Sequence, residues 1–200
     1  KIIHIGHSFT HIYEPRRHLQ TTVAMEKLNF ILDRRSIRKY TDQKIEDQVI
    51  TKLITAAMYA PSAVNRQPWH FVVIDQRRML DQIMEVHPYA GMLRTASHAI
   101  VVCGDEQEQH DDGYWVVDCG AATENLLLAA YSLGLGSCWV GLHPREGRKK
   151  AIAELLDLPG HVQPFALVAL GYPQEVKPRP DRFHPEKVKH NGWHTLYYAS

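Results

Sequence analysis

Arg34, Arg35, Ser36 and Arg38 stand in the run DRRSIRKY, Asp33 to Tyr40. Arginine supplies planar, permanently charged donors and serine adds a hydroxyl, a set that suits a phosphate. Taken alone, the run reads better as a solvated basic turn whose charges are offset by Asp33, Asp42 and Glu46. The chain has neither GxxxxGK[ST] nor GxGxxG after a strand, so the two commonest nucleotide cradles are absent. A second stretch, APSAVNRQPWHFVV from Ala60 to Val73, carries Ser62, Asn65 and Gln67 between a helix end and a strand. Its small residues and carboxamides suit close approach to a planar polar ligand, while Trp69 reads as core. In a third stretch, GLGSCWVGL from Gly134 to Leu142, glycines leave backbone N–H groups accessible beside Trp139.

These stretches need elements to hold them. Leu28, Ile31 and Leu32 repeat at helical spacing from Met25 onward. IEDQVITKLITAAMYA is an amphipathic helix with Ile45, Val49, Leu53, Ala56 and Ala57 on one face, stopped by Pro61. HFVVID and AIVVCGD read as strands, with the short helix RRMLDQIMEV between them. The segment Val116–Leu133 is apolar almost all round and ends at Gly134 and Gly136. Such a helix must be covered on most sides, by a sheet and often by another subunit, which suggests a dimer. SCWVGL is a short strand, REGRKKAIAELLDL an amphipathic helix, PFALVALGYP a full strand, and KPRPDRFHPEKVKHNGW a basic, proline-rich tail. Helices alternating with apolar strands predict an α/β or α+β fold around one sheet.

Composition narrows the classes. The 200 residues are enough to bury a core, with 44% apolar and 22% charged residues and a formal net charge of +1. That balance argues against a general nucleic-acid binder and gives no reason to expect a membrane partner. No apolar run is long enough to span a bilayer, and the N-terminal stretch lacks a signal-peptide core; the expected location is cytoplasmic. Cys103, Cys119 and Cys138 are too few and too scattered for a disulfide framework. The thirteen histidines form no HExxH, and His4, His7 and His11 read as polar residues of an arm, so no metal site is expected.

Taken in order, RRSIRKY, APSAVNRQPWHFVV, DCGAATENLLLAAYSLGLGSCWVG and GYPQEVKPRPDRF resemble the landmarks of the nitroreductase family of FMN-dependent oxidoreductases, from about Met25 to Trp193. The resemblance implies an α+β sandwich, a mixed central sheet flanked by helices, assembled as an intertwined homodimer with FMN at the interface. Residues 25–200 are expected to form one FMN-binding domain, and residues 1–24 an extension of uncertain origin that packs on a partner or runs over the surface. By the same resemblance, Arg34, Arg35, Ser36 and Arg38 share contacts to phosphate, ribityl chain and ring edge, with Arg38 near N1 and O2. Ser62, Asn65 and Gln67 approach the flavin from the other subunit. Cys138, Trp139, Val140 and Gly141 lie along the isoalloxazine, and Arg182 closes on the phosphate, with Arg179 a weaker candidate.

The implied chemistry belongs to the cofactor: NADH or NADPH gives hydride to N5, and a nitroaromatic, quinone or related acceptor takes the electrons in a ping-pong cycle. No catalytic acid or base is assigned. Cys138 reads as a space-filling residue, Cys103 and Cys119 as inert, and His98 and His143 as structural. The chain departs from one branch of the family by reading SCWVG where some members carry a glutamate. It also lacks an Asn and a Lys between His87 and Ala99, and has no room for a long helical lid there. Specialised activities, such as dehalogenation or flavin destruction, and a non-catalytic FMN store are the alternatives.

Overall fold

Four apolar runs become strands because each is covered on at least one face. The computed structural model describes residues 27–111 and 113–198. The N-terminal extension, residues 1–24, lies outside the described residues. Strand β1 spans Trp69–Ile74, β2 His98–Asp105, β3 Gly136–Gly141 and β4 Val162–Gly171. They form one sheet in the order β1-β2-β4-β3, antiparallel at every strand pair. The mixed character expected of the sheet rests, among the described residues, on one parallel bridge between Ser36 and Ser137.

The helices are α1 (Asn29–Asp33), α2 (Asp47–Met58), α3 (Arg77–Val86), α4 (Tyr114–Ser132) and α5 (Glu146–Leu155). Side chains alternate across a strand, and the core divides accordingly. Ile100, Val102, Ala166, Val168 and Leu170 pack with Leu53 and Ala57 of α2 and Leu126 and Ala130 of α4. On the other face, Val101, Leu167, Ala169 and Cys138 pack with Leu80 and Ile83 of α3 and Ile152 of α5. All eight residues of β2 are buried, which accounts for its unbroken apolar run. Between Val102 and Cys103 the β2–β4 register shifts, and the extra β4 residue is Phe165. Phe165 consequently joins Ala166 on the α2–α4 side of the sheet.

Helix α4 buries Trp115, Cys119, Ala122, Leu126 and Ala130 within its own chain, while Val117 remains 66% exposed. Its end is a Schellman motif: Leu135 N–H donates to Ala130 O at 2.8 Å and Gly134 N–H to Tyr131 O at 3.0 Å, with Gly134 at φ 76°. That stop turns the chain directly into β3. No helix among the described residues is long and apolar enough to cross a membrane.

Candidate active site

The segment after α1 is fixed by its two apolar residues. Ile37 and Tyr40 are buried, and the Tyr40 hydroxyl donates to Ile37 O at 2.5 Å. Ile37 N–H donates to Ser137 O at 2.9 Å, which lays the segment along β3. A Cβ on Gly136 would sit 2.8 Å from Ile37 Cγ2, so only glycine permits this approach. With Ile37 and Tyr40 turned inward, Arg38 is left exposed and Arg34, Arg35 and Ser36 half-buried.

The tail after β4 folds back onto this segment. Lys177 Nζ donates to Ser36 O at 2.7 Å and pairs with Glu175 at 3.2 Å. Glu175 accepts the Arg38 N–H at 2.6 Å. That hydrogen bond, with Lys177 beside it, holds the Glu175 carboxyl below the usual range. Arg179 is engaged by Asp33 at 2.6 Å and by Asn29 at 2.9 Å, and its hydrogen bond depresses the Asp33 carboxyl.

Arg34, Arg35, Glu124, Arg179 and Arg182 line a cleft of about 730 Å³. Arg34 Nε lies 3.3 Å from Glu124 Oε1, yet it is out of line for a hydrogen bond. Both Arg34 Nε and Arg35 Nε are buried without a hydrogen-bond partner. Arg35 donates through Nη2 to Leu32 O. Burial, then Arg182 and Arg34, lower its pKa. Three guanidiniums lining one cleft, two with buried Nε donors unused, form a site suited to a multiply charged oxyanion. A middle cleft of about 560 Å³ shares Arg34 and Arg35 and reaches Ser137, Glu175 and Lys177.

A third cleft, also about 560 Å³, is lined by Arg38, the run Cys138–Gly141, His87, Tyr89 and Arg148. Within that run Cys138 and Val140 face the core, whereas Trp139 is 36% exposed and stands edge-on to Phe165, ring centroids 5.5 Å apart. Sequence spacing gave no sign of His87, Tyr89 and Arg148, which share a single anchor. His87 is 1% exposed. Its Nδ1 accepts Tyr89 N–H at 3.2 Å, so Nε2 is the donor to Gly141 O at 3.1 Å. Burial lowers the His87 pKa, with Arg148 adding to the effect. Arg148 donates to the same Gly141 O at 3.3 Å and stacks over Tyr89 at 5.0 Å.

Ser62, Asn65 and Gln67 lie apart from all three clefts. Ser62 Oγ accepts Gln67 N–H at 2.9 Å and Gln67 Nε2 donates to Asn65 Oδ1 at 2.9 Å. Val64, Asn65 and Gln67 all have positive φ, at 50°, 57° and 52°. The loop is docked on α4 by Ala63 N–H donating to Asp118 Oδ1 at 3.0 Å. Thus one chain brings Arg34, Arg35 and Arg182 together, sets Ser36 and Arg38 beside Cys138–Gly141, and leaves the carboxamide loop elsewhere on its surface. His98 hydrogen-bonds Ser97 at 3.1 Å and His143 stacks on Phe165, both away from the arginines.

This fold, with an arginine-lined cleft beside the segment that pairs with edge strand β3, defines a protein class. The sequence pattern of the nitroreductase family matches residues 31–91 and 84–172. An Archaeoglobus fulgidus protein named "Putative NADH dehydrogenase/NAD(P)H nitroreductase" is 48% identical over 172 residues, 84% of this chain and 99% of its own. An FMN-dependent nitroreductase structure from Clostridium difficile is 30% identical, with a TM-score of 0.77 over 82% of this chain and 99% of its own. A nitroreductase structure from Desulfovibrio desulfuricans in complex with FMN is also 30% identical, with a TM-score of 0.72 over 82% and 96% of the two chains. The chain belongs to the nitroreductase family.

Proposed function

We propose that this chain binds FMN and uses NADH or NADPH to reduce nitroaromatic, quinone or related acceptors in a ping-pong cycle. The observation that carries the reading is the pair of buried Nε donors on Arg34 and Arg35 that make no hydrogen bond, beside Arg182. A 5′-phosphate would satisfy both donors and relieve the repulsion among the guanidiniums. Ser36 and Arg38 would hold the ribityl chain and ring edge, with Arg38 supplying positive charge beside N1 and O2. Backbone N–H groups of Cys138–Gly141 would face the ring. When bound, FMN supplies the hydride and electron chemistry.

The chain's own residues orient and shield that group. Ile37 and Tyr40 fix the arginine segment, Trp139 and Phe165 flank the edge strand, and His87 and Arg148 hold the carbonyl of Gly141. Ser62, Asn65 and Gln67 would serve the site of a second copy, in a homodimer. The exposed Tyr59 (84%) and Val64 (72%) beside them support a partner surface.

A visible absorbance spectrum, repeated after anaerobic NADH or NADPH, tests the reading. A flavin band that bleaches is the expected result. A flavin band unchanged by nicotinamide would leave a binding protein rather than a reductase. No flavin, and none taken up when FMN is added, would overturn the assignment of the arginine cleft.

A further inference from the structure

Where β1 begins, β2 ends and β4 begins, two imidazoles face one carboxylate, and a second carboxylate stands beside the first imidazole. Asp105 closes β2 and its side chain is 10% exposed. Oδ1 is taken by the Gln107 N–H at 2.8 Å. Oδ2 faces two imidazoles: His70 Nε2 at 3.8 Å and His161 Nε2 at 3.6 Å. His70 Nε2 also lies 3.5 Å from Glu108 Oε2, and the ligand atoms of His70, Asp105 and Glu108 all lie within 4.8 Å of one another. None of these residues lines the three clefts around the arginines and β3.

The separations discriminate between two accounts. Hydrogen bonds from an imidazole to a carboxylate fall at roughly 2.7–3.2 Å, and all three contacts are longer. Ligands about 2.1 Å from a tetrahedral ion are about 3.4 Å from each other, close to the 3.5 Å from His70 to Glu108 and the 3.8 Å from His70 to Asp105. The scaffold is rigid: His70 is in β1, Asp105 N–H donates to Pro68 O at 2.7 Å, and Glu106 N–H donates to His161 O at 2.9 Å. We propose that His70, Asp105 and Glu108 bind a divalent transition-metal ion of the Zn²⁺ type, with water completing the coordination. The imidazole among these donors suits Zn²⁺, whereas Mg²⁺ and Ca²⁺ take oxygen ligands. The ion would tie the end of β2 to the start of β1, immediately after the Ser62–Gln67 loop. Asp105 and Glu108 are close in the chain, but His70 lies 35 positions earlier and meets them only through the pairing of β1 with β2.

The test is isothermal titration of the chelator-treated full chain with Zn²⁺, beside the single variants H70Q and E108Q and the double variant H70Q/E108Q. Both side chains are about half exposed, at 51% and 53%, so these changes open no core. The N-terminal histidines are the same in every protein, so they cancel in the comparison. The expected result is one more Zn²⁺ per chain in the wild type than in the double variant, affinity at least about tenfold weaker in each single variant, and a Zn²⁺-dependent rise in Tm that the double variant lacks. Equal uptake and affinity in wild type and double variant would overturn the proposal, as would Mg²⁺ binding as tightly as Zn²⁺.

Discussion

Ile37 and Ser137 share a 2.9 Å backbone hydrogen bond that couples the arginine segment to the edge strand β3. The approach depends on Gly136, where an added methyl would meet Ile37 at 2.8 Å. A G136A variant is expected to lose about 1–3 kcal/mol of stability through overpacking, and to bind FMN more weakly because Arg34–Arg38 shift relative to Cys138–Gly141. Chemical denaturation and a flavin fluorescence titration check the two effects. Unchanged affinity with reduced stability would show that the contact serves the fold alone.

The R34A/R182A double variant is expected to bind FMN at least about a hundredfold more weakly, each charged hydrogen bond contributing roughly 1.5–3 kcal/mol. Wild-type affinity in that variant would remove the phosphate assignment.

Glu124 competes with a bound anion for Arg34 across 3.3 Å. Its side chain is 43% exposed, so the pair is a weak one. An E124Q variant is therefore expected to bind FMN about two- to fivefold more tightly, matching roughly 0.5–1 kcal/mol for such a pair. A titration of FMN into apoprotein reads the change directly, and weaker binding would give Glu124 a supporting role instead.

His87, His98 and His143 all have pKa values lowered from 6.5, in each case chiefly by burial. The unfolded chain therefore takes up protons below about pH 6.5 that the folded chain does not. Stability is full above that value and falls as the pH drops through it toward the folded values. Thermal melts from pH 8 to pH 5 should show this decline. An H87Q variant, able to keep one donor and one acceptor at the site, should show a shallower slope, and an identical slope would exclude His87 as a contributor.

Burial pushes the Cys103 thiol up to about 12 and raises Cys119 and Cys138 as well. Thiols are poor nucleophiles unless ionised. Iodoacetamide at pH 8 is expected to leave all three unmodified in the folded protein and to modify all three in guanidinium, as mass spectrometry would record. Rapid labelling of Cys138 in the folded state would make it a reactive thiol.

Elements with a local cause were legible in the sequence. The apolar runs of β2 and β4, the Gly134 stop after α4 and the Pro61 break after α2 each announce themselves within a few residues. In α2 the buried face is carried by Ile50, Leu53 and Ala57, so Ile50 displaces the expected Val49 from its centre. What stayed hidden depends on distant pairing. Nothing local says that β4 lies between β2 and β3, and that order makes β3 the edge strand beside Ser36. His87 and Arg148 meet only because both reach the carbonyl of Gly141. Glu124 faces Arg34 because α1 crosses α4. The arginine motif was visible as a motif, but its unused donors appear only once burial is known.

The return of the tail onto the arginine segment has a consequence for truncated forms of the chain. Asp33 meets Arg179 across 146 positions of chain and Ser36 meets Lys177 across 141. A released polypeptide ending before Glu175 would carry all four strands but lack Lys177, Arg179 and Arg182. Loss of so short a tail would therefore remove Arg182 from the arginine-lined cleft while sparing every strand of the sheet.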